Sequence, residues 1–231
     1  MTRLYLSEVF FSIQGEGSLT GVPSAFVRTS GCNLRCVWCD TPYASWEPEG
    51  EWYEVDDVLA RLATRPHVRH VVLTGGEPLV AAGVPELARV LCDDGYHVTV
   101  ETAGTVDADV PMHLCSISPK LAHSTPGPEH GEWARRHEQR RLDVTALQRL
   151  IDRGEYQLKF VVAAPSDLDE IDALLGRLSI DRADRVQLMP RGRSVAELDA
   201  TASWLVPLCL ERGFRFCDRQ QIRLFGDSRG T

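Results

Sequence analysis

Three cysteines stand close together in the first fifth of the chain, and their spacing permits a specific chemistry. Cys32, Cys36 and Cys39 lie within the eight-residue run CNLRCVWC, directly after a predicted strand. Three thiolates from one loop can bind three irons of a [4Fe–4S] cluster and leave the fourth iron open to another ligand. A closed zinc site normally has four protein ligands, and the first histidine after this loop is His67. The spacing therefore favours a catalytic iron–sulfur cluster over a zinc-binding interaction module.

Composition limits the class of protein in which such a cluster would sit. The chain has 231 residues, 43% of them hydrophobic, and a formal net charge of −8, so it offers no broad basic surface for nucleic acid or anionic lipid. No apolar run is long enough to span a membrane, and the amino-terminal sequence lacks the pattern of a cleaved signal peptide. The seven cysteines are an odd number, which argues against a disulfide framework. We expect a cytoplasmic protein that binds neither nucleic acid nor membranes.

The elements that must position the cysteines alternate along the chain. Apolar runs predict strands at 3–11, 24–29, 70–73, 97–101, 112–118, 156–162, 185–189 and 214–217. Helical periodicity predicts helices at 55–64, 84–92, 144–151, 168–178 and 195–210. Repeated strand–helix units predict parallel strands, but they are too few for a complete eight-stranded barrel of about 250 residues. We predict a single α/β domain over 1–231, a partial, open TIM-like β/α barrel, with a flexible surface loop at 122–141.

The cysteine spacing C-x3-C-x2-C, with the aromatic Trp38 before the last cysteine, resembles the signature of the radical S-adenosylmethionine (SAM) superfamily. A second segment, TGGEP at 74–78, follows a predicted strand, where that superfamily's GGE strand end meets the amino group of SAM. The resemblance implies an open β/α barrel with a [4Fe–4S] cluster on the three cysteines, and SAM as cofactor. It also implies a SAM pocket lined by Trp38, Cys39, Asp40, Gly76, Glu77, Ser118, Pro119, Lys120 and Gln187.

Further motifs narrow the resemblance to one family. They are VFFSIQGEG at 9–17, FVR at 26–28, CDT at 39–41, ETAG at 101–104 and SPK at 118–120. In this order, over nearly the whole chain, they resemble the 7-carboxy-7-deazaguanine synthases. That family converts 6-carboxy-5,6,7,8-tetrahydropterin to 7-carboxy-7-deazaguanine with loss of ammonia, on the route to deazapurines such as queuosine. The resemblance implies a homodimer and a separate electron donor such as a flavodoxin.

The same resemblance assigns residues to the substrate. It implies that the pterin is bound by Ile13, Gln14, Gly15, Arg28, Thr74 and the terminal Thr231, with Arg28 also serving the reaction beside the three cysteines. For Arg28 the alternative role is an ion pair with Glu8 or Glu16. The hydroxyl of Thr41 is implied to reach a Mg²⁺ ion bound to the substrate, and its alternative role is to cap the turn before Pro42.

The sequence also departs from the family, and one other enzyme class remains an alternative. Ala103 stands where the family commonly has Asn, and Gln221 stands where relatives often carry His. An activating enzyme that makes a glycyl radical on a partner protein is the enzymatic alternative, since such enzymes are also short radical SAM chains. The motif at 14–17 would have no role there.

Overall fold

The computed structural model describes residues 2–231 and is built around one sheet of nine strands. The strands are β1 (Arg3–Ile13), β2 (Pro23–Thr29), β3 (Glu51–Glu54), β4 (His70–Gly75), β5 (His97–Thr102), β6 (Leu114–Ile117), β7 (Tyr156–Val162), β8 (Val186–Pro190) and β9 (Arg215–Phe216). Their order across the sheet is β3-β1-β2-β4-β5-β6-β7-β8-β9. β1 pairs antiparallel with β2 and β3, and each pair from β2 to β9 is parallel. The sheet has two free edges, which confirms the prediction of a partial, open barrel.

Eight helices accompany the strands in the part of the chain that the structure describes. They are α1 (Pro42–Ser45), α2 (Val55–Ala63), α3 (Val84–Asp93), α4 (Glu132–Arg140), α5 (Val144–Asp152), α6 (Asp167–Leu175), α7 (Val195–Arg212) and α8 (Gln220–Phe225). The longest, α7, begins at a capping box in which Ser194 and Glu197 each bond the other's backbone N–H. No helix within 2–231 combines the length and the apolar character needed to cross a membrane.

The two faces of the sheet have different chemistry because side chains alternate along each strand. On β7, Leu158, Phe160 and Val162 belong to the main apolar core together with residues of the helices. Gln157 and Lys159, which point to the other face, are polar and almost completely buried. The helices therefore cover the outer face with an apolar layer, whereas the inner face is lined by polar groups that must bond one another or a ligand.

The deep, amino-terminal end of the inner face is filled by such polar bonds. His70 on β4 bonds the hydroxyls of Ser24 at 2.7 Å and Thr99 at 2.8 Å. Gln157 donates to Ser116 Oγ at 2.8 Å, and its carbonyl oxygen accepts from Gln187 at 3.0 Å. These bonds close the bottom of the barrel and leave the carboxyl ends of the strands as the open end, where β/α barrels carry their active sites.

The segment 122–141 differs from its predicted loop. It contains α4 and two short 3-10 turns, Ala122–Ser124 and Pro128–His130. The side of α4 that packs inward presents His137 and Trp133 rather than aliphatic residues, so the helix leaves no apolar period in the sequence. The short strand β3, which pairs with β1 at the sheet edge, is a second element outside the predicted set.

Candidate active site

One large cavity opens at the carboxyl ends of the parallel strands. Its volume is about 860 Å³, near the upper end of the roughly 300–1,000 Å³ range of small-molecule sites. Its wall is formed by residues that follow β2, β4, β5, β6, β7 and β8 and by the carboxyl-terminal residues of the chain. A cavity of this size has room for two small molecules side by side.

The three cysteines of the motif form one wall of this cavity. Cys32, Cys36 and Cys39 all line it, as free thiols, in the loop between β2 and α1. The Leu34 amide donates to Cys32 Sγ at 3.3 Å, and Ser45 Oγ lies 3.2 Å from Cys39 Sγ. Hydrogen bonds to the sulfurs are among the interactions that set the properties of iron–sulfur clusters, so part of that environment is already in place.

The donor set fits a [4Fe–4S] cluster better than a single metal ion. Burial raises the pKa of Cys32 to about 11 and the pKa of Cys36 to about 12, and the neighbouring cysteine thiolates add to both shifts. Within residues 2–231, no three His, Cys, Asp or Glu side chains converge in the geometry of a single-ion site. Thiolates that bind different irons of one cluster need not converge on a point, whereas zinc ligands must.

The TGGEP segment turns sharply beside the cysteine loop. Gly76 has no room for a side chain because a Cβ there would overlap the carbonyl oxygens of Gly31 and Ala44. Both Gly75 and Gly76 line the cavity, so a ligand can approach their backbone. The turn thus presents backbone to the cavity at the place where the motif predicts a ligand.

Three residues predicted for the SAM pocket do not line the cavity. The carboxylate of Glu77 is completely buried and accepts bonds from Thr102 Oγ1 at 2.7 Å and from the Ala103 amide at 2.8 Å. Pro119 is buried and does not line the cavity, whereas its neighbours Ser118 and Lys120 do. Gln187 lies near the amino end of β8, where it donates to Ser18 and Gln157, and Met189 takes its predicted place in the wall. The structure therefore places these three residues behind the cavity wall rather than in it.

The remaining residues predicted for the SAM pocket lie together beside the cysteines. Trp38, Asp40, Ser118 and Lys120 line the cavity, as do Cys39 and Gly76. Lys120 Nζ donates to Ser118 Oγ at 2.8 Å and lies 5.7 Å from the centre of the Trp38 ring. This wall combines an aromatic face with a cation and hydroxyl groups.

The opposite wall brings together the residues predicted for the substrate. Ile13 ends β1, Gln14 and Gly15 follow it, and all three line the cavity with Thr74. Gln14 Nε2 donates to Glu101 Oε1 at 3.2 Å, and Thr74 Oγ1 donates to Glu101 Oε2 at 3.3 Å. Glu101, absent from the predicted site set, is therefore the shared acceptor of this wall.

A buried ion network that the sequence analysis missed lies next to this wall. The carboxylate of Glu16 accepts from Lys159 Nζ at 2.5 Å, Gln221 Nε2 at 2.7 Å and Arg219 Nε at 3.1 Å. Arg219 also pairs with Asp40 at 2.5 Å. Burial alone would raise the pKa of Glu16, but Lys159 and Arg219 outweigh burial and hold that pKa far below its ordinary value. A lysine in the mostly apolar strand 156–162 was the available sequence signal.

Arg28 lies in the cavity wall and is already paired. Its Nε donates to Glu8 Oε1 at 2.6 Å, which is the ion pair that the sequence analysis weighed as its alternative role. Tyr43 Oη donates to the same oxygen at 3.0 Å. Arg28 thus both faces the cavity and belongs to a pair.

The carboxyl terminus returns to the cavity. Residues 226–231, including Thr231, line it. Arg229 lies 3.9 Å over the Tyr43 ring and pairs with Glu49 at 3.1 Å and Glu8 at 3.4 Å. These contacts hold the end of the chain across the cavity mouth.

Thr41 lies between the cysteine loop and α1. Its hydroxyl is 3.7 Å from Cys39 Sγ and lines the cavity. It is the residue before the first turn of α1, but its side chain makes no capping hydrogen bond there. The capping role that the sequence left open is therefore not the one that the structure displays.

The cavity is more basic than the protein around it. Seven basic side chains line it, namely Arg28, Lys120, Lys159, Arg191, Arg193, Arg219 and Arg229. The acidic side chains in the wall are five: Glu16, Asp40, Glu101, Glu197 and Asp227. This excess of two positive charges contrasts with a net charge of −8 for the whole chain. The site is thus suited to carboxylate-bearing ligands.

Known proteins are similar to this chain in sequence and in structure. The model of the radical SAM superfamily matches residues 26–122, which include the cysteine loop and the TGGEP turn. A 7-carboxy-7-deazaguanine synthase from Rhodopirellula baltica is 52% identical over 100% of this chain and 90% of its own length. One from Halobacterium salinarum is 48% identical, over 99% of this chain and 93% of its own length.

A solved structure agrees with the sequence relatives. The crystal structure of QueE from Escherichia coli superposes with a TM-score of 0.72 at 27% identity and covers 94% of each chain. The superposition therefore extends over nearly the whole of both chains. The chain belongs to the 7-carboxy-7-deazaguanine synthase family of the radical SAM superfamily.

Proposed function

We propose that this chain is a radical SAM enzyme that converts 6-carboxy-5,6,7,8-tetrahydropterin to 7-carboxy-7-deazaguanine with release of ammonia, in the biosynthesis of queuosine-type deazapurines. The observation that carries the proposal is the meeting of two motifs in one cavity. The cysteine loop forms one wall, and the segment 13–16 with Glu101 forms the other. A glycyl-radical activating enzyme and a zinc module are not favoured, since neither needs the second wall.

The cofactors follow from membership of the superfamily. Cys32, Cys36 and Cys39 would hold a [4Fe–4S] cluster, and the Gly75–Gly76 backbone, Trp38, Asp40, Ser118 and Lys120 would hold SAM. Together these groups supply the one-electron cleavage of SAM that starts hydrogen abstraction. The rest of the chemistry is control of position, which is the protein's own task.

The pterin ring would lie against the wall of Gln14, Thr74 and Glu101. The pyrimidine edge of a pterin carries N–H donors, and a carboxylate is the acceptor that suits them. Glu101 is held in place by its bonds from Gln14 and Thr74, so its remaining lone pairs have a fixed direction. The Gln221 side chain occupies the space where a Cβ of residue 15 would lie, so this position requires glycine. Gly15 therefore presents only its backbone to the cavity.

The carboxylate of the substrate would face Arg28 in the cavity wall. Arg28 has the planar fork that suits a carboxylate, and its pair with Glu8 fixes its orientation. The chain end held by Arg229 lines the cavity and would limit the access of water to the reacting carbon once the ligands are bound. Hydrogen transfer then meets little competition from solvent.

Removal of the Arg28 side chain should weaken substrate binding. We expect Arg28→Ala to raise KM for the pterin by about tenfold to a hundredfold, since a hydrogen bond to a charged group is lost. It should also increase the SAM cleaved per product formed, because the substrate is held less well. Steady-state kinetics measures both, with the exposed Arg177→Ala as the matched control. An unchanged KM would remove Arg28 from the substrate site.

We propose that Mg²⁺ acts through Thr41. The Thr41 hydroxyl lies beside the cysteine loop and makes no capping hydrogen bond to α1, so its oxygen can serve as a hard ligand for Mg²⁺. Thr41→Val should raise the Mg²⁺ concentration for half-maximal turnover by about tenfold to a hundredfold, whereas Thr41→Ser should keep it. A magnesium titration of the three proteins measures this. Equal titration curves would contradict the assignment.

Three further properties belong to the same proposal. The one-electron chemistry requires a separate reductant, for which a flavodoxin-type protein is suited. Family resemblance supports a homodimer, and the composition supports a cytoplasmic enzyme.

The function itself is tested by anaerobic assembly of the cluster, addition of SAM, reductant and the pterin, and detection of 7-carboxy-7-deazaguanine by mass spectrometry. A protein that assembles the cluster and cleaves SAM but yields no such product would contradict it.

A further inference from the structure

The segment 121–141, which lies outside the motifs that carry the family resemblance, contacts the cysteine loop from behind. His137 of α4 is completely buried, and its Nδ1 accepts from the Arg35 amide at 3.0 Å. The Ser124 carbonyl accepts from the Val37 amide at 2.9 Å. Arg35 and Val37 flank Cys36, so both amides on either side of the middle cysteine are held by this one segment.

The tautomer of His137 is determined by its partners. Because Nδ1 accepts from a backbone amide, the ring proton is on Nε2, which donates to Ser124 Oγ at 2.9 Å. Ser124 Oγ in turn donates to the Leu121 carbonyl at 2.6 Å. Burial lowers the pKa of His137 to about 4, so the ring is neutral near pH 7. The hydrogen bonds thus run in one direction, from the Arg35 amide through His137 and Ser124 to the Leu121 carbonyl. Each of these polar groups has a hydrogen-bond partner.

The other contacts between the segment and the loop reinforce these bonds. The Arg35 guanidinium lies 3.9 Å over the Trp133 ring of α4. Trp38 Nε1 donates to His123 Nδ1 at 2.9 Å. At the end of α4, Arg141 is buried and bonds Glu138 at 2.7 Å and the Lys120 carbonyl at 3.1 Å, which joins the segment to the barrel.

We propose that His137, together with Ser124, is a positioning residue that holds Cys36 in its cluster-binding place before the cluster is assembled. The inference rests on the proposed function, since it takes Cys36 to be a ligand. His137 does not touch the sulfurs; it acts through the Arg35 amide. A loop whose amides are already bonded loses less freedom when its thiols bind iron.

The test compares variants that keep one nitrogen of the ring at a time. In His137→Asn the side-chain oxygen can replace Nδ1 as acceptor for the Arg35 amide. In His137→Gln the longer amide replaces Nε2 toward Ser124 and leaves the Arg35 amide without its acceptor. Gln139→Ala, exposed on the same helix, is the control. Far-ultraviolet circular dichroism checks that each variant folds.

The first readout is hydrogen–deuterium exchange of the peptide containing 33–38 in the protein without a cluster. We expect exchange at least about tenfold faster in His137→Gln and His137→Ala, and near the unaltered rate in His137→Asn and Gln139→Ala. The second readout is iron retained after anaerobic reconstitution with ferric iron and sulfide, followed by a chelator challenge. His137→Gln and His137→Ala should lose iron faster than the unaltered protein, whereas His137→Asn and Gln139→Ala should lose it at about the unaltered rate.

Two results would overturn the inference. One is equal exchange in all variants, and the other is His137→Asn as defective as His137→Ala, which would mean that ring packing rather than the acceptor matters. These results leave the proposed function intact. Failure of the unaltered protein to assemble any cluster would contradict the proposed function instead, and the exchange experiment would still decide on His137.

Discussion

Replacement of Cys36 by alanine should abolish cluster assembly and product formation. The two remaining thiolates of the loop cannot supply the three ligands of the cluster, and no further cysteine lines the cavity in the part of the chain that the structure describes. After anaerobic reconstitution, we expect iron and sulfide content to fall well below four per chain, with loss of the brown colour, and SAM cleavage to fall to the rate without enzyme.

The matched control for this variant is Cys92→Ala. Cys92 is a partly buried cysteine of α3, outside the cavity, so its loss should leave iron content and SAM cleavage unchanged. Parallel measurement separates loss of a ligand from loss of a thiol in general. A Cys36→Ala protein that still holds four irons and still cleaves SAM would contradict the assignment of the loop.

The second large effect is expected at Glu16. Its carboxylate is 14% exposed and lies between Lys159 and Arg219, which are 5% and 10% exposed. Glu16→Gln removes the charge and leaves two nearly buried cations short of their shared partner, which costs about 3–5 kcal/mol when a buried pair is broken. We therefore expect a large fall in the free energy of unfolding, measured by urea denaturation, together with loss of substrate binding.

The same variant should change how stability depends on pH. The pKa of Glu16 is ordinarily 4.5 and is lowered in the folded protein by Lys159 and Arg219, so its stabilising contribution is complete above about pH 5 and is lost as the pH falls toward the folded value. The difference in unfolding free energy between the unaltered protein and Glu16→Gln should be constant above that pH and narrow below it.

A surface pair provides the control for Glu16. Glu155 pairs with Arg185 at 2.5 Å but its side chain is 65% exposed, so Glu155→Gln should change stability little. Equal effects of Glu16→Gln and Glu155→Gln would show that the Glu16 network does not stabilise the fold.

The strands and the cysteine loop could be predicted because their signals are local. Residues 156–162 are mostly apolar and rich in strand-forming types, and β7 has those same bounds. The cysteine loop is recognisable from spacing alone, since its ligands lie within eight residues. Local signals of this kind survive without knowledge of the tertiary structure.

The ion network and α4 could not be predicted because their signals are not local. Glu16 and Lys159 are 143 positions apart, and nothing in either segment names the other as its partner. α4 is stabilised by His137 and Trp133 against the cysteine loop, contacts that have no apolar period. Gln187 was expected in the SAM pocket, but it is the second residue of β8, which begins at Val186, and this position places it among the deep polar bonds.

The measurement that tests the central claim most directly follows one hydrogen. The reconstituted protein is supplied with SAM, a reductant and 6-carboxy-5,6,7,8-tetrahydropterin deuterated at C6, and the products are analysed by mass spectrometry. The cavity is proposed to hold C6 of the pterin near the SAM adenosyl carbon and away from water. We predict that deuterium appears in 5′-deoxyadenosine while 7-carboxy-7-deazaguanine forms. Deuterium that stays in the product or passes to solvent would contradict the account.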